Sequence, residues 1–391
     1  KYFIPFAIIL VPSFLAIFYG LVTYFFSIFY SEKIISSFLV FTLLFGITEL
    51  IRGFIFTGFP WNLIAFSFSD NNNFIQILSI LGTYSFNLIC ISFFTSPAVL
   101  ILKQTRKELL VCSFFVFIAT SFLIFGKIKN NQFDELKYDK HKHTVRIVSP
   151  NIKLNRFYSD KDDVKIINEL IYLSNPNSDE LTIFVWPEGI ISGIYSNDFK
   201  IYKELFSKSF SKNHLIILGI NSFESKNDED LYFNSLAVFD NNLNLVDSYK
   251  KVKLVPFGEF LPFENLLNLI GFKTITNNYQ SYSSGKKIRS IDLNLDNFNL
   301  NFLPLICYEI IYSGKLYKNS KFDYIINISE DGWFGNSIGP KQLFVHGIFR
   351  SIESGKYIIR SANNGISAVI APSGKIDKKI EFGNTGYIDF V

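Results

Sequence analysis

The sequence contains few of the residues that bind metals or form disulfides. Its 391 residues include three Cys, four His and no Met. The scattered Cys and His show no zinc spacing, so the sequence predicts no metal site. Cys90 and Cys112 lie in apolar runs, which leaves Cys307 as the one thiol in the polar half of the chain. A solitary thiol has no intramolecular disulfide partner and can stay reduced outside the cytoplasm.

An excess of charge of one sign is also missing. There are 38 Lys and Arg against 34 Asp and Glu, and basic residues do not cluster with aromatic ones. This balance argues against a nucleic-acid partner. What the chain has in abundance is apolar surface: 49% of its residues are hydrophobic and 17% are aromatic, including 45 Phe. Such a composition is too apolar for an ordinary soluble protein of this length and indicates a membrane part.

Four apolar runs define a predicted membrane region over residues 1–126. Each is close to the ~20 residues that a helix needs to cross a ~30 Å hydrocarbon core. Helices buried in a soluble bundle would show polar residues at every turn, and these runs do not. The runs are 3–30, 34–56, 74–102 and 108–126.

The loop between the last two runs predicts the orientation of the chain in the membrane. It carries Lys103, Arg106 and Lys107, and positively charged loops stay in the cytoplasm. One further crossing places the rest of the chain on the external side, although Lys127 and Lys129 argue mildly against this.

Two charged residues, Glu49 and Arg52, lie inside the second apolar run. A charge at bilayer depth is costly and marks a functional candidate. At a spacing of three residues the pair can also simply neutralise itself. Both interpretations stay open from the sequence.

A polar, Lys-rich stretch over 127–142 is the predicted linker, and a different pattern follows over 143–391. Short apolar strands alternate there with helices, which predicts an α/β domain whose sheets are covered on both faces. The predicted strands are 144–148, 182–186, 215–219, 235–239, 245–250, 300–307, 324–328, 357–361 and 368–371, and the predicted helices are 161–174, 198–212 and 340–354.

Three residues that can carry chemistry each lie at the end of a predicted strand: Glu188 in Trp-Pro-Glu, Lys251 in Tyr-Lys-Lys-Val-Lys-Leu, and Cys307 in Leu-Ile-Cys-Tyr-Glu. A thiol, a carboxylate and an ammonium supply a nucleophile, a base and an electrostatic clamp for acyl transfer. Taken singly, the cysteine could be a core residue and Trp-Pro-Glu a turn. Strand alternation alone cannot separate Lys251 from Lys253, because both would share one face.

Longer motifs resolve these alternatives through a resemblance. Glu, Lys and Cys in this order resemble the nitrilase, or carbon–nitrogen hydrolase, superfamily. Pro-Phe-Gly-Glu-Phe-Leu-Pro, Cys-Tyr-Glu and Trp-Phe-Gly-Asn-Ser-Ile-Gly-Pro resemble its membrane branch, the apolipoprotein N-acyltransferase family. The resemblance runs along the whole chain. It implies an αββα sandwich of two sheets attached to a transmembrane helical bundle, with further membrane helices expected before residue 1 and after residue 391.

The resemblance also implies roles for individual residues. Cys307 would be the nucleophile, Glu188 the general base and Lys251 the clamp on the oxyanion, joined by the backbone N–H of Tyr308. Glu259 would hydrogen-bond the lysine, with an ordinary loop salt bridge as the alternative, and Tyr308 and Glu309 would shape the pocket. The expected substrate-binding residues are Trp333, for which core packing is an equal reading, Arg360, Asn363, Asn364, Leu267 and Leu269.

Two positions depart from the family pattern. Glu330 stands where the family usually has Asn, which adds an acid near the site. The tryptophan usual in the loop after the first strand is absent, and Phe157 and Tyr158 are nearby.

The implied activity is transfer of an acyl chain from a phospholipid, through a Cys307 thioester, to the N-terminal amine of a diacylglyceryl-modified apolipoprotein. The bilayer would be a further partner, and no metal or cofactor is implied. The expected location is a bacterial inner membrane with the catalytic domain on the periplasmic side. Two alternatives stay open: a membrane-tethered amidase or nitrilase that uses water, and a scaffold without activity.

Residues 260–272 form an apolar stretch between Lys251 and Cys307 that includes Leu267, Leu269 and Gly271. We interpret it as a lid that dips into the outer leaflet, hinged at Gly271, because loops beside a site commonly gate it. A short core helix is the alternative.

Overall fold

Four long apolar helices occupy the N-terminal part of the chain. The computed structural model describes residues 4–135, 143–158, 162–226, 229–262, 281–295, 298–314 and 321–391. Within these ranges, four helices are long and apolar enough to cross a membrane, which confirms the four predicted runs as helices. They are α1 (Ile4–Phe29), α2 (Ile34–Arg52), α4 (Leu78–Leu102) and α5 (Arg106–Glu135), with a 3₁₀ helix (Ile64–Phe68) and the short α3 (Asn72–Ile75) between α2 and α4.

Helix α5 continues to Glu135, past the boundary predicted at residue 126. Gly126 is a packing position inside this helix, because a Cβ there would lie 1.7 Å from the carbonyl oxygen of Asn73. Hydropathy marks where residues stop being apolar, whereas the helix ends where its backbone hydrogen bonds end. The predicted linker over 127–142 therefore begins inside a helix, and residues 136–142 lie outside the described part of the chain.

The two charges in α2 form a buried ion pair. Arg52 Nη2 lies 2.6 Å from Glu49 Oε2, and both residues are 2% exposed. The Tyr19 hydroxyl donates to Glu49 Oε1 at 3.0 Å, and Arg52 Nη1 donates to the Asn62 side chain at 2.8 Å. This is the geometry that mutual neutralisation predicts.

Twelve strands in the described residues form two six-stranded sheets. The first has the order β12-β1-β2-β3-β4-β5 and the second β11-β10-β9-β8-β7-β6. In each sheet a parallel centre, β1-β2-β3 or β7-β8-β9, is flanked by antiparallel strands. The strands are β1 (Thr144–Ser149), β2 (Thr182–Val185), β3 (His214–Lys226), β4 (Glu229–Asp240), β5 (Leu245–Lys250), β6 (Ile291–Leu295), β7 (Phe298–Ile306), β8 (Tyr324–Glu330), β9 (Tyr357–Asn363), β10 (Ser367–Ile370), β11 (Ile376–Ile380) and β12 (Gly386–Phe390).

The two sheets pack face to face, with helices on the outside. Strand β1 packs against β9 and β10, and the Ser361 hydroxyl on β9 donates to the Val148 carbonyl on β1 at 2.9 Å. Helix α6 (Asp163–Ser174) covers the first sheet, and α8 (Gly339–Ser354) covers the second. This arrangement confirms the predicted αββα sandwich. The chain divides into two compact units, Lys1–Leu136 with Tyr312–Lys315, and Lys137–Ile311 with Leu316–Val391.

Alternation along the strands determines what each face buries. In β3, Ile216, Leu218 and Ile220 belong to the hydrophobic core under the outer helices, together with Trp186. The intervening Gly219 points the other way, since successive residues of a strand face opposite sides. This second face is the one that carries the site described below.

Helix 198–212 was predicted wrongly as one element. The structure has a 3₁₀ helix (Phe199–Tyr202) followed by the short α7 (Lys203–Ser207). Phe206 and Phe210 still anchor the segment in the core. The serines over 207–211 weaken a helix because their hydroxyls compete for backbone hydrogen bonds.

Strands β6 and β11 were missed because they lie at sheet edges. Strand β11 reads Ile-Asp-Lys-Lys-Ile with an exposed centre, and charged residues are typical of edges. Short polar strands of this kind lack the apolar run that the sequence analysis relied on. Strand β7 runs from Phe298 to Ile306, so the predicted strand 300–307 began two residues late and ended one residue late. Cys307 begins a 3₁₀ helix (Cys307–Ile311).

Replacing Gly219 with Ala should lower stability by about 1–3 kcal/mol, because a Cβ would sit 2.4 Å from Glu188 Cα and backbone must move. Thermal unfolding of the purified protein in detergent measures this. Gly347→Ala is the matched control, since its Cβ would meet only the end of the Ile370 side chain, at 3.3 Å. Equal stability of both variants would contradict the close approach.

Candidate active site

Glu188 lies on the turn that follows β2 and is 7% exposed. Its two carboxylate oxygens have separate donors. Oε2 accepts from the backbone N–H of Glu330 at 2.9 Å. Oε1 accepts from Asn234 Nδ2 at 2.8 Å and from Lys251 Nζ at 3.3 Å. A carboxylate held by three donors has a fixed orientation, as a general base requires.

Lys251 follows β5 directly and is 1% exposed. Its ammonium contacts Glu259 Oε1 at 2.9 Å as well as Glu188. Burial alone would lower the pKa of Lys251, but the two carboxylates and Cys307 raise it well above its usual value. The residue is therefore a permanent cation, and it is Lys251, one of the two lysines that strand alternation left open, that the structure brings to Glu188.

Glu259 is fixed from the other side by the backbone N–H of Val255, which donates to Oε2 at 2.8 Å. The ammonium thus sits between two carboxylates. The predicted contact between Glu259 and the lysine is present.

Cys307 lies at the end of β7 with a left-handed backbone, φ +49°. A non-glycine residue in this region is strained, and such strain concentrates at functional sites. The thiol is buried, at 9% exposure. Burial raises the pKa of Cys307, and the charge of Glu188 raises it further, whereas Lys251 and a hydrogen bond with Ser329 lower it. The resting group is therefore a neutral thiol beside a carboxylate and an ammonium.

Glu309 connects the lysine loop to the cysteine turn. Its carboxylate accepts from the backbone N–H groups of Val252 and Lys253, at 2.9 and 3.1 Å, and of Ile306, at 2.9 Å. The Tyr249 hydroxyl adds a fourth hydrogen bond, at 2.8 Å. Burial raises the pKa of Glu309, and these donors oppose that rise. Glu309 therefore holds the lysine loop and the cysteine turn together. Tyr308, the residue before it, is buried at 8% exposure.

Glu330, the acid that departs from the family pattern, is paired with Arg156, and each side chain is 1% exposed. Asn363 Nδ2 and Asn364 Nδ2 also donate to the Glu330 carboxylate, at 2.6 and 3.1 Å. Arg156 further donates to the Gly189 carbonyl at 3.2 Å. The added acid is therefore compensated, and through Arg156 its network also holds the residue that follows Glu188.

Three of the predicted substrate-binding residues lie behind the site instead of on its wall. Arg360 is fully buried and binds both oxygens of Asp331, at 2.9 and 2.8 Å. Asn363 is fully buried, and it and Asn364 each donate to the Ile152 carbonyl at 2.7 Å. Their polar groups hold loops within the protein, and substrate binding by these three residues stays a prediction.

Trp333 is the predicted substrate-binding residue that does reach the surface, with 54% exposure. Its ring stacks on Phe157, with centroids 5.2 Å apart. Phe157 in turn lies under the Arg156 guanidinium. Its exposure contradicts the core-packing alternative for Trp333. Leu267, Leu269 and the rest of the lid interpretation over 263–272 fall outside the described residues.

Two residues of the site, Asn234 and Arg156, were not predicted from the sequence. Asn234 is a polar residue inside the buried strand β4, 8% exposed. An isolated amide in an apolar strand was the available signal, but its partners come from distant segments.

Among the described residues, no group of three or more His, Cys, Asp or Glu could hold a metal ion.

Comparisons with known proteins agree with this architecture. A carbon–nitrogen hydrolase family model matches residues 145–388, and a model of the apolipoprotein N-acyltransferase N-terminal domain matches residues 1–96. The apolipoprotein N-acyltransferase of Rickettsia prowazekii is 32% identical, over 90% of this chain and 69% of its own length. That of Brucella melitensis is 28% identical, over 99% of this chain and 73% of its own length.

A solved structure of Saccharomyces cerevisiae Nit3, a member of branch 10 of the nitrilase superfamily, is 18% identical and matches with a TM-score of 0.44. The match covers 63% of this protein and 89% of the Nit3 chain. Fold and family model together define residues 145–388 as a carbon–nitrogen hydrolase domain. The chain as a whole belongs to the apolipoprotein N-acyltransferase family and is a membrane-bound enzyme.

Replacing Arg156 with Met should cost about 3–5 kcal/mol, because the buried Glu330 carboxylate loses its cation. Burial raises the pKa of Glu330 and Arg156 lowers it, so this pKa should rise further in the variant. A carboxyl whose pKa is raised in the folded state stabilises most at acidic pH and loses that contribution as pH rises through its folded pKa. The variant should therefore be least stable, relative to wild type, near neutral pH.

Thermal unfolding in detergent from mildly acidic to neutral pH tests this. The double variant Arg156→Met/Glu330→Gln is the control, and it should lose the extra pH dependence and regain part of the stability. If the single variant were destabilised equally at every pH, Glu330 would not be the group that responds.

Proposed function

We propose that this enzyme transfers an acyl chain from a phospholipid to the N-terminal α-amine of a diacylglyceryl-modified apolipoprotein, with Cys307 as the nucleophile. The observation that carries the proposal is the Lys251 ammonium, which lies 3.3 Å from Glu188 and 2.9 Å from Glu259. Lys251 is also near enough to Cys307 to lower the pKa of the thiol. The family membership supplies the substrate class, since the relatives are named apolipoprotein N-acyltransferases.

In the first half-reaction, Glu188 takes the Cys307 proton while Sγ attacks the ester carbonyl of the phospholipid. The raised pKa of the buried thiol means that a base has to remove this proton during the attack. Negative charge builds on the carbonyl oxygen, and Lys251 with the backbone N–H of Tyr308 stabilises it. The ester C–O bond then breaks, Glu188 returns its proton to the leaving oxygen, and a lysophospholipid departs.

In the second half-reaction, the α-amine of the apolipoprotein attacks the thioester carbonyl. Glu188 takes a proton from the attacking nitrogen and passes it to the Cys307 sulfur as the C–S bond breaks. The products are an amide and the free thiol. Two half-reactions on one nucleophile define a ping-pong mechanism.

The burial of Cys307 favours transfer over hydrolysis. With 9% of the residue exposed, a thioester there has little access to bulk water. A hydrolase needs water at this point, whereas a transferase has to exclude it until the amine arrives.

The charge pattern supports an inner-membrane location with the catalytic domain in the periplasm. Lys103, Arg106 and Lys107 mark the α4–α5 connection as cytoplasmic by the positive-inside rule. Helix α5 then crosses once more, so the domain that follows it lies outside. Both substrates are lipid-anchored at that surface.

Cys307→Ala should abolish an acyl adduct that intact-mass measurement detects on the wild-type protein after incubation with phospholipid. Without Sγ no thioester can form. Cys90→Ala is the control and should keep the adduct, since Cys90 lies buried in α4. An adduct of unchanged yield on Cys307→Ala would refute the nucleophile, and release of free fatty acid instead of amide would identify a hydrolase.

Lys251→Ala should slow adduct formation by about 10²–10³-fold, as expected when a donor to an oxyanion is lost. Lys250→Ala and Lys253→Ala are the matched controls and should cost much less. Lys250 pairs with Glu224 and lies 3.9 Å from the Phe233 ring centroid. Equal losses in all three variants would show that general positive charge, and not one clamp, is what matters.

A further inference from the structure

Asn234 connects the two carboxylates of the site. Its amide nitrogen donates to Glu188 Oε1 at 2.8 Å and to Glu259 Oε1 at 2.7 Å. A primary amide nitrogen carries two hydrogens, so one is available for each carboxylate. The orientation of the amide follows from chemistry as well, because the opposite rotamer would turn its oxygen toward two carboxylate oxygens.

Lys251 donates to the same two oxygens. Two donors therefore share two acceptors in a closed ring of hydrogen bonds. The donors are Asn234 Nδ2 and Lys251 Nζ, and the acceptors are Glu188 Oε1 and Glu259 Oε1. The backbone fixes the donors relative to each other, because the Lys251 N–H donates to the Asn234 carbonyl at 2.9 Å. The arrangement is therefore built into the β4–β5 pairing.

The remaining oxygens of the carboxylates are held by the backbone. Glu188 Oε2 accepts from the Glu330 N–H, and Glu259 Oε2 accepts from the Val255 N–H. Among the described residues, Cys307 also interacts electrostatically with Glu188, and Tyr282 does so with both carboxylates. Two carboxylates sharing one ammonium leave one unbalanced negative charge in a buried site, and Asn234 is the neutral side chain that donates to both.

We propose that Asn234 is a positioning residue that holds Glu188 and Glu259 at a fixed spacing around Lys251, so that the Glu188 carboxylate is placed to accept the Cys307 proton. This inference rests on the proposed function. When Glu188 takes the proton, its attraction for the ammonium falls. Asn234 then holds Glu188 in place while Lys251 faces the developing oxyanion with Glu259 as its remaining carboxylate.

The test compares the pH dependence of single-turnover adduct formation from phospholipid in wild type and Asn234→Ala. Loss of two donors destabilises the ionised carboxylates, so the acidic limb of the rate profile should move to higher pH. The rate near neutral pH should fall by about 10- to 100-fold, the range expected for a hydrogen bond to a charged group, and should recover toward wild type at higher pH. A merely structural role would depress the rate equally at every pH, and that result overturns the proposal.

Two further variants make the comparison sharper. Asn234→Asp keeps the shape but replaces the donor with a third carboxylate, so the limb should move furthest; it also serves if the Ala variant does not fold. Ser235→Ala is the matched control, because Ser235 is the next residue of β4, is 1% exposed, and bonds Ser222 instead of the site. Its profile should match wild type, and a wild-type profile for Asn234→Asp would also overturn the proposal.

A second readout separates this proposal from the proposed function. Alkylation of Cys307 by iodoacetamide, followed by peptide mass, reports base-assisted loss of the thiol proton without any acyl donor. If wild type forms no acyl adduct but Asn234→Ala still shifts the acidic limb of alkylation upward, the acyltransferase function fails and the role of Asn234 stands. If acyl adducts form but neither pH profile shifts in Asn234→Ala, the acyltransferase function stands and the role of Asn234 fails.

Discussion

The arrangement of the catalytic domain depends on one buried cation shared by two carboxylates. Lys251 is 1% exposed and lies within hydrogen-bonding distance of Glu188 and Glu259. Ions removed from water are costly unless their remaining lone pairs and protons are satisfied. Each carboxylate accordingly receives a backbone N–H on one oxygen and the Asn234 amide on the other. The loops that carry these donors must place them within hydrogen-bonding distance of the carboxylates. The hydrogen bonds to these buried ions therefore determine the shape of the site.

Around this cluster, other buried charges act as fasteners. Glu309 joins the lysine loop to the cysteine turn through three backbone N–H groups. The Arg156–Glu330 pair holds the Glu188 turn from behind, and Arg360 holds Asp331. These residues have the charge expected of substrate ligands, yet their polar atoms are used within the protein. The same rule applies inside the membrane unit, where Glu49 and Arg52 satisfy each other at 2.6 Å. Charge in a buried part of this chain is therefore not in itself evidence of ligand binding.

Cys307 and Glu188, the proposed nucleophile and base, are both buried. Burial keeps Cys307 protonated at rest, which protects a lone thiol from oxidation and ties its activation to the adjacent carboxylate. The left-handed backbone at Cys307 turns the chain sharply off β7 into the 3₁₀ helix, so the thiol stands at the strand end with its neighbours already engaged. Cys307 thus combines a left-handed backbone, a protonated thiol and two charged neighbours, Glu188 and Lys251.

By itself, the sequence determined the elements whose signal is local. Long apolar runs predicted the membrane helices, and continuous apolar strands predicted a covered sheet, because burial on both faces requires apolar residues throughout. The motifs around Glu188, Lys251 and Cys307 identified the family. The tertiary structure decided what depends on distant partners: that Lys251 reaches Glu188, that Asn234 bridges two carboxylates, that Arg156 compensates Glu330, and that the polar edge strands pair at all. Hydrogen bonds between segments far apart in the chain leave no periodic trace in the sequence, so only the folded coordinates assign them.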